Sequence, residues 1–433
     1  MVAHLHMRFR VSVAIGCSLI AGLIWTNTRA RAQRSGMFHG SADDPGIKYM
    51  SGPLENSIDT LNKRLDAGTA RLTFQGRNGY LRSALEAIGL PVDSQLLVFS
   101  PASLQGRRIS PTNPRAIFFK DDVELGWVRD GELIEVAAQD ARQGIVFYTL
   151  PQKEVESPRF QRATTCLGCH MSGDTSGVPG LLMFSSTAES DRPFASTIFM
   201  GHTMPVANRF GGWFVTGALT PASHKGNAVA ALEGRSRALT STEGLYDPDG
   251  YLSSSSDIAA LMVFAHQAQT INLMIHAGWE ARVADPALHP GTPPANEALL
   301  APVLRAVAED VVDSLLFIDE ARLDGRVQGA SGFAERLAAE GPQDRKGRSL
   351  RQLALTGRLM RYPCSYLIYS PMFDALPSSM KSLIFERLWQ VLSGAERDAR
   401  YRAALTLADR QAIVEILRDT KPGLPSYFKP VMK

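Results

Sequence analysis

The chain has 433 residues, 45% of them apolar and 21% charged, a globular composition with ample material for a sizeable core. Its formal net charge is +3, but Arg8, Arg10, Arg29 and Arg31 carry all the charge of the first 32 residues, which leaves 42 basic against 43 acidic residues in the remainder. Such a balance argues against nucleic acid or an anionic membrane as the main partner.

The N-terminus reads as an export signal. Arg8 and Arg10 form a basic region, Val11 to Trp25 is an apolar run too short for a comfortable spanning helix, and Ala30-Arg31-Ala32 fits a small-x-small cleavage pattern. Residues 1–32 are therefore expected to be a signal peptide cut after Ala32, with an uncleaved membrane anchor as the alternative, and the destination is the periplasm. Ala14-Ile15-Gly16 before Cys17 is a poor lipidation site. Once Cys17 leaves, Cys166, Cys169 and Cys364 remain, too few for a disulfide framework.

Residues 33–52 are Gly/Ser-rich and aperiodic, and predict a flexible lead-in. Residues 53–155 predict an α/β region. Helices are expected over Asn56–Leu65 and Tyr80–Ile88, and Arg71–Phe74 should be extended. Leu96–Phe99, Ala116–Phe119, Leu133–Val136 and Ile145–Tyr148 are β-branched and aromatic runs separated by turn-prone groups, the pattern of antiparallel strands. Residues 156–250 hold a short Cys/His segment, a Gly/Pro-rich stretch from Gly173 to Gly180, and an expected strand around Trp213-Phe214-Val215. Residues 251–433 predict mainly helix: Ile258–Arg282 behind Asp257, then Glu297–Ile318, Phe333–Ala339, Leu350–Leu359, Ser378–Leu392 and Ala408–Leu417. The expected class is α+β, with a β-containing N-terminal region, a central Cys/His segment and a large, mainly α-helical C-terminal region.

The chemistry concentrates in Cys166-Leu167-Gly168-Cys169-His170. Two thiols at i and i+3 can add to the two vinyl groups of one haem, and a histidine at i+4 lies on the same helical face, where its imidazole reaches the iron. A closed zinc site wants about four ligands, and no second Cys/Cys or Cys/His pair stands at suitable spacing. A thiol redox pair or a disulfide leaves His170 without a role. One covalent haem c is expected, on Cys166 and Cys169, with His170 as the proximal ligand.

That segment, followed by Gly173, Gly177, Val178, Pro179 and Gly180, resembles the start of a bacterial cytochrome c module. The resemblance implies that a backbone carbonyl of the glycine-rich loop, from Pro179 or a neighbour, holds the proximal imidazole through its other nitrogen. A longer resemblance, through Leu97–Phe99, Arg108–Pro111, Pro114–Ile117, Phe147-Tyr148, Arg209–Gly217 and Ser365–Pro377, is to a group of exported bacterial proteins with a single haem motif and no assigned role. It implies one large unit with the haem embedded in it. The 165 residues before the motif depart from a small cytochrome.

For the sixth iron position, Met204 precedes Pro205 as in many cytochromes c, and His202 competes with it; in an extended segment both would share one face. Met171 and Met183 sit less favourably. His224 reads as a surface residue, His266 and His276 as helical residues with a lesser chance of lining a pocket, and Arg209, Trp213 and Trp279 as weak candidates for a haem edge or propionate. Cys364 reads as a buried, inert thiol. The expected function is electron transfer with a redox partner protein, and the membrane enters only if the N-terminal segment is retained. The alternatives are a haem-dependent oxidoreductase or peroxidase with an open distal site, a haem-based sensor, or a haem subunit of a larger redox complex.

Overall fold

The apolar runs between Leu96 and Pro151 fold as a meander. The computed structural model describes residues 36–186, 197–233, 236–241, 243–291 and 297–432. The expected export signal, its cleavage point and Cys17 lie outside these residues. Helices α1 (Ser57–Asp66) and α2 (Leu81–Ile88) precede a six-stranded antiparallel sheet. Its strands lie in chain order: β1 (Leu96–Val98), β2 (Arg115–Phe119), β3 (Val123–Val128), β4 (Leu133–Asp140), β5 (Gly144–Pro151) and β6 (Gln161–Arg162).

Register decides what each face of this sheet carries. Gly126 stands opposite both Ile117 and Glu135, and Ala137 opposite both Glu124 and Phe147. Paired residues point to the same side, and residues two apart along a strand do too, so Arg115, Phe119, Glu124, Glu135 and Phe147 share one face. Trp127, Ile134, Val136 and Tyr148 share the other, which is buried. Asn56 docks α1 on that buried face. Its Oδ1 caps the helix by accepting the N–H groups of Ile58 and Asp59, and its Nδ2 donates to the Tyr148 hydroxyl at 3.0 Å.

The chain then makes the one-turn helix α3 (Leu167–His170) and the hairpin of β7 (Phe184–Ser186) and β8 (Thr197–Phe199). After β9 (Ala218–Thr220) comes a second hairpin, β10 (Ala228–Glu233) and β11 (Ser236–Ser241). The Trp213–Val215 segment, expected as a strand, is extended but meets the sheet only through a bridge from Trp213 to Val98.

Helix α4 (Ile258–Val283) runs about 39 Å at 1.5 Å per residue through the core. Asp257 caps it, one carboxylate oxygen accepting the N–H groups of Ala259 and Ala260 and the other those of Ala330 and Ser331. The helix is apolar on all sides because it is enclosed on all sides. Its length and composition would suit a membrane span, yet 89% of its most apolar window is buried inside the fold. It packs on the Phe119 end of the sheet, with Phe264 at 4.9 Å from Phe119, and against α5 (Glu297–Leu315).

The remaining elements are β12 (Leu323–Gln328), α6 (Phe333–Ala339), β13 (Leu353–Met360), α7 (Pro371–Asp374), α8 (Ser378–Ser393), α9 (Ala399–Ala404) and α10 (Leu407–Thr420). The protein is α+β, β-rich towards the N-terminus and helical towards the C-terminus.

Two expectations are corrected here. Leu350–Leu359 is not a helix. β13 pairs with β12, which in turn pairs with β9, and left-handed φ angles of 56° at Leu355 and 73° at Gly357 break any helical path. The lead-in is not loose from Met37 onward. Phe38, Ile47 and Tyr49 are buried, and Phe38 and Tyr49 meet Trp279 edge-on at 5.1 and 6.2 Å. From Met37 the chain forms one compact unit.

Candidate haem attachment site

A single 3-10 turn, Thr164–Cys166, runs into α3, and this short helical stretch carries Cys166, Cys169 and His170. Both thiols are free; Cys166 is half-buried and Cys169 exposed. Gly168 faces open space. Burial pushes the Cys166 thiol above its ordinary range, with the Glu135 carboxylate adding to the effect. A protonated thiol of this kind is a poor match for a thiol redox pair, whose attacking sulfur is ionised.

His170 is held at both ends. Its Nδ1 lies 2.9 Å from the Gly180 carbonyl oxygen, and the Gly180 N–H donates to the His170 carbonyl at 2.9 Å. The proton therefore belongs on Nδ1, and Nε2 keeps its lone pair for a metal. Burial pushes the ring's proton affinity below the ordinary 6.5, so the imidazole is neutral at neutral pH, the form that ligates. Gly180 supplies the carbonyl; the Pro179 carbonyl instead accepts the Ile145 N–H at 3.2 Å. The loop is pinned from α4, where the Asn272 carboxamide accepts the Leu181 N–H and donates to the Leu181 carbonyl, both at 2.8 Å. A Cβ at Gly180 would stand 2.4 Å from Asn272 Oδ1, so this close approach requires glycine.

The ring of His170 leans on Phe147 of β5, with centroids 4.6 Å apart at 54°. Phe147 belongs to the sheet face that α4 covers only at its Phe119 and Glu124 end. Beyond that cover, Arg115, Ile117, Glu135, Ala137 and Thr149 are only partly buried, the Arg115 and Glu135 side chains being 19% and 13% exposed. The candidate ligand thus stands beside a partly covered, partly apolar sheet surface.

The sixth-ligand candidates fare differently. Residues 202–204 form a turn, not an extended segment, so His202 and Met204 do not share a face. His202 is buried in the core. Its Nδ1 lies 3.1 Å from Nδ1 of His266, and its ring packs against Phe317 at 5.2 Å. Burial pushes its proton affinity down to about 3, with Arg209 adding to the effect. This corrects the expectation that His202 is available to iron, since its ring is committed to the core. Met204 is half-buried, and its carbonyl accepts from Arg209 Nε at 2.7 Å. The Met200 N–H donates to the Met183 carbonyl at 2.7 Å, continuing the β7–β8 pairing, so the turn returns beside the strand that leaves Gly180. No hydrogen bond or ring contact among the described residues joins Met204 or His202 to His170.

The lesser candidates serve the fold. His266 is buried, with Nε2 at 2.8 Å from Ser365 Oγ and its ring stacked on Phe317 at 4.0 Å. His276 Nε2 faces Glu280 at 3.3 Å. His224, expected at the surface, is half-buried against Phe210 and accepts the Gly226 N–H. Arg209 spends its donors on the carbonyls of His202 and Met204, Trp213 donates to the Phe184 carbonyl, and Trp279 fills the space between Phe38 and Tyr49. Cys364 is fully buried, and burial pushes its thiol up to about 12. Met171 caps the end of α3, and Met183 is buried.

Sequence reasoning missed Arg115, Glu135, Phe147 and Asn272 at this site. None belongs to a local motif, and only sheet register and the packing of α4 bring them near His170. Among the described residues, no group of three or more His, Cys, Asp or Glu side chains stands ready to hold a metal ion. The residues present suit a tethered haem by their chemistry: two free thiols and a neutral imidazole with one nitrogen already held. No known protein family, curated protein or solved structure matches the chain.

Proposed function

We propose that this protein carries one covalent haem c and passes electrons to and from a partner protein in the periplasm. The observation that supports this best is the hold on His170, whose Nδ1 is taken by the Gly180 carbonyl so that Nε2 is free, beside two unpaired thiols. A haem bound there supplies one-electron exchange between ferrous and ferric iron. Cys166 and Cys169 would hold the group through two thioether bonds and so fix it without a deep pocket. His170 would give the iron a nitrogen, and the Gly180 carbonyl would strengthen its donation. Met204 would be the preferred further ligand, because its thioether is soft and His202 is engaged in the core. Exposed Cys169 and the partly covered sheet face leave an edge that a partner protein can approach, which suits a carrier better than an enclosed peroxide site.

The test is expression together with a cytochrome c maturation system, followed by a haem stain on a denaturing gel and by optical and EPR spectra with and without peroxide. A covalent, low-spin haem indifferent to peroxide is expected. High-spin iron that turns over peroxide would replace the carrier with an enzyme. A product without covalent haem would overturn the reading altogether.

A further inference from the structure

Arg115 is weakly paired for a partly buried arginine; Arg162 and Arg400 also bury an unpartnered Nε, but both make short hydrogen bonds through their other guanidinium nitrogens. The Arg115 guanidinium lies flat over the α-carbon of Gly126, where a Cβ would come within 2.2 Å of Nη2 and 2.5 Å of Nε. Its Nε is buried without a hydrogen-bond partner, and its ion pair is a long one, Nη2 to Glu135 Oε2 at 3.4 Å. Arg336, by contrast, sets Nε at 2.7 Å from both oxygens of Asp93. Glu135 is also engaged elsewhere. Ser103 Oγ donates to both of its oxygens, at 2.9 and 3.2 Å, and Gln105 Nε2 approaches at 3.5 Å. A planar fork of five donors is therefore left largely unmatched in a site from which bulk water is partly excluded, a costly state unless a second anion arrives.

The place of that fork identifies the anion. Arg115, Glu135 and Phe147 share a sheet face, and Glu135 is paired with Thr149, two residues along β5 from Phe147, against which His170 leans. Strand spacing puts the guanidinium roughly 10 Å from the imidazole. A group tethered by Cys166 and Cys169 and ligated by His170 has its own carboxylates at its rim. We propose that Arg115 seats one haem propionate, with Glu135 orienting the guanidinium and Gly126 giving it room to lie flat. This inference rests on the haem reading, and the two can fail separately.

The experiment compares the wild-type chain, R115Q, R115K and G126A, all produced with the maturation system. The readouts are haem stain, the propionate bending band in resonance Raman spectra, and the midpoint potential as a function of pH. All four should stain, because the thioether bonds do not involve Arg115. R115Q should shift the propionate band, lower the midpoint potential at neutral pH through loss of a nearby positive charge, and move the pH-dependent part of the potential upward as the propionate becomes a weaker acid. G126A, which pushes the guanidinium off its seat, should shift the band in the same direction, and R115K should restore the potential more than the band. A stained R115Q with the wild-type band and potential profile would overturn the propionate seat. A shifted potential with an unshifted band would overturn the direct contact and leave only a distant charge effect. An unstained wild type would overturn the haem reading and this inference with it. Should R115Q fail to accumulate, R115K and G126A carry the same comparison.

Discussion

Gly180 does two things for His170: its carbonyl takes one ring nitrogen, and its missing side chain lets the loop close on Asn272. Residue identity separates the two sixth-ligand candidates just as sharply. His202 is buried against His266 and Phe317, while Met204 is half-buried in a turn. Met204→Ala is therefore expected to convert a low-spin haem spectrum to a high-spin one at unchanged chemical stability. His202→Ala should keep the spectrum and lower stability by roughly 2–3 kcal/mol, since it opens a cavity and strands His266 Nδ1. EPR and urea unfolding of the two variants decide between them, and a spectral change in His202→Ala alone would reverse the assignment. Glu124 makes a second prediction at this scale. Both its oxygens are buried without a hydrogen-bond partner beside Gln267, and burial, with Asp122 adding, pushes its proton affinity well above the ordinary 4.5. Below pH 4.5 the folded and unfolded chains are both protonated there. As pH rises from 4.5 towards the folded value, the unfolded chain releases its proton first, and stability falls by about 1.4 kcal/mol per pH unit. Glu124→Gln removes that slope. Its urea midpoint relative to wild type should therefore rise as the pH increases above 4.5, and a difference independent of pH would refute the buried, protonated carboxyl.

At the scale of elements, α4 organises the molecule through its first turn and its polar contacts. Asp257 is fully buried and serves two segments at once, capping α4 and holding the backbone of Ala330 and Ser331. Asp257→Ala loses the cap and leaves two backbone N–H groups unpaired, a cost of roughly 3 kcal/mol measurable by urea unfolding. A loss near 0.5 kcal/mol would mean that water replaces both sets of bonds. Elements also show where sequence patterning carries through and where it stops. Strands β1, β2, β4 and β5 and helices α1, α2, α4 and α8 fall where periodicity and capping residues place them, because each has a clear local signal. β12 and β13 do not. Leu353–Met360 has apolar residues that suit a helix as well as a strand, and only pairing with β12 selects the strand. In the same way the short run Met37–Gly52 carries no periodic signal, yet Phe38 and Tyr49 are anchored by Trp279, more than two hundred residues away in the chain.

For the whole molecule, the sheet and the helical half share one core. α4 covers the Phe119 and Glu124 end of the sheet, and Asn272 pins the loop that holds His170. A fragment ending at Gly250 would bare that surface and lose the pin. It is expected to show no cooperative unfolding transition and to bind hydrophobic dyes, as followed by near-UV circular dichroism and dye fluorescence. A fragment with a native near-UV spectrum would make the helical half an independent attachment. The sequence by itself determined the fold class and concentrated the candidate chemistry in Cys166, Cys169 and His170, because their spacing puts all three on one short helical stretch. It could not show that Gly180 is the residue that holds His170, that His202 is committed to the core, or that Arg115 and Glu135 stand beside the site. Those depend on sheet register and on the seating of α4, which join residues far apart in the chain, and no local pattern encodes such contacts.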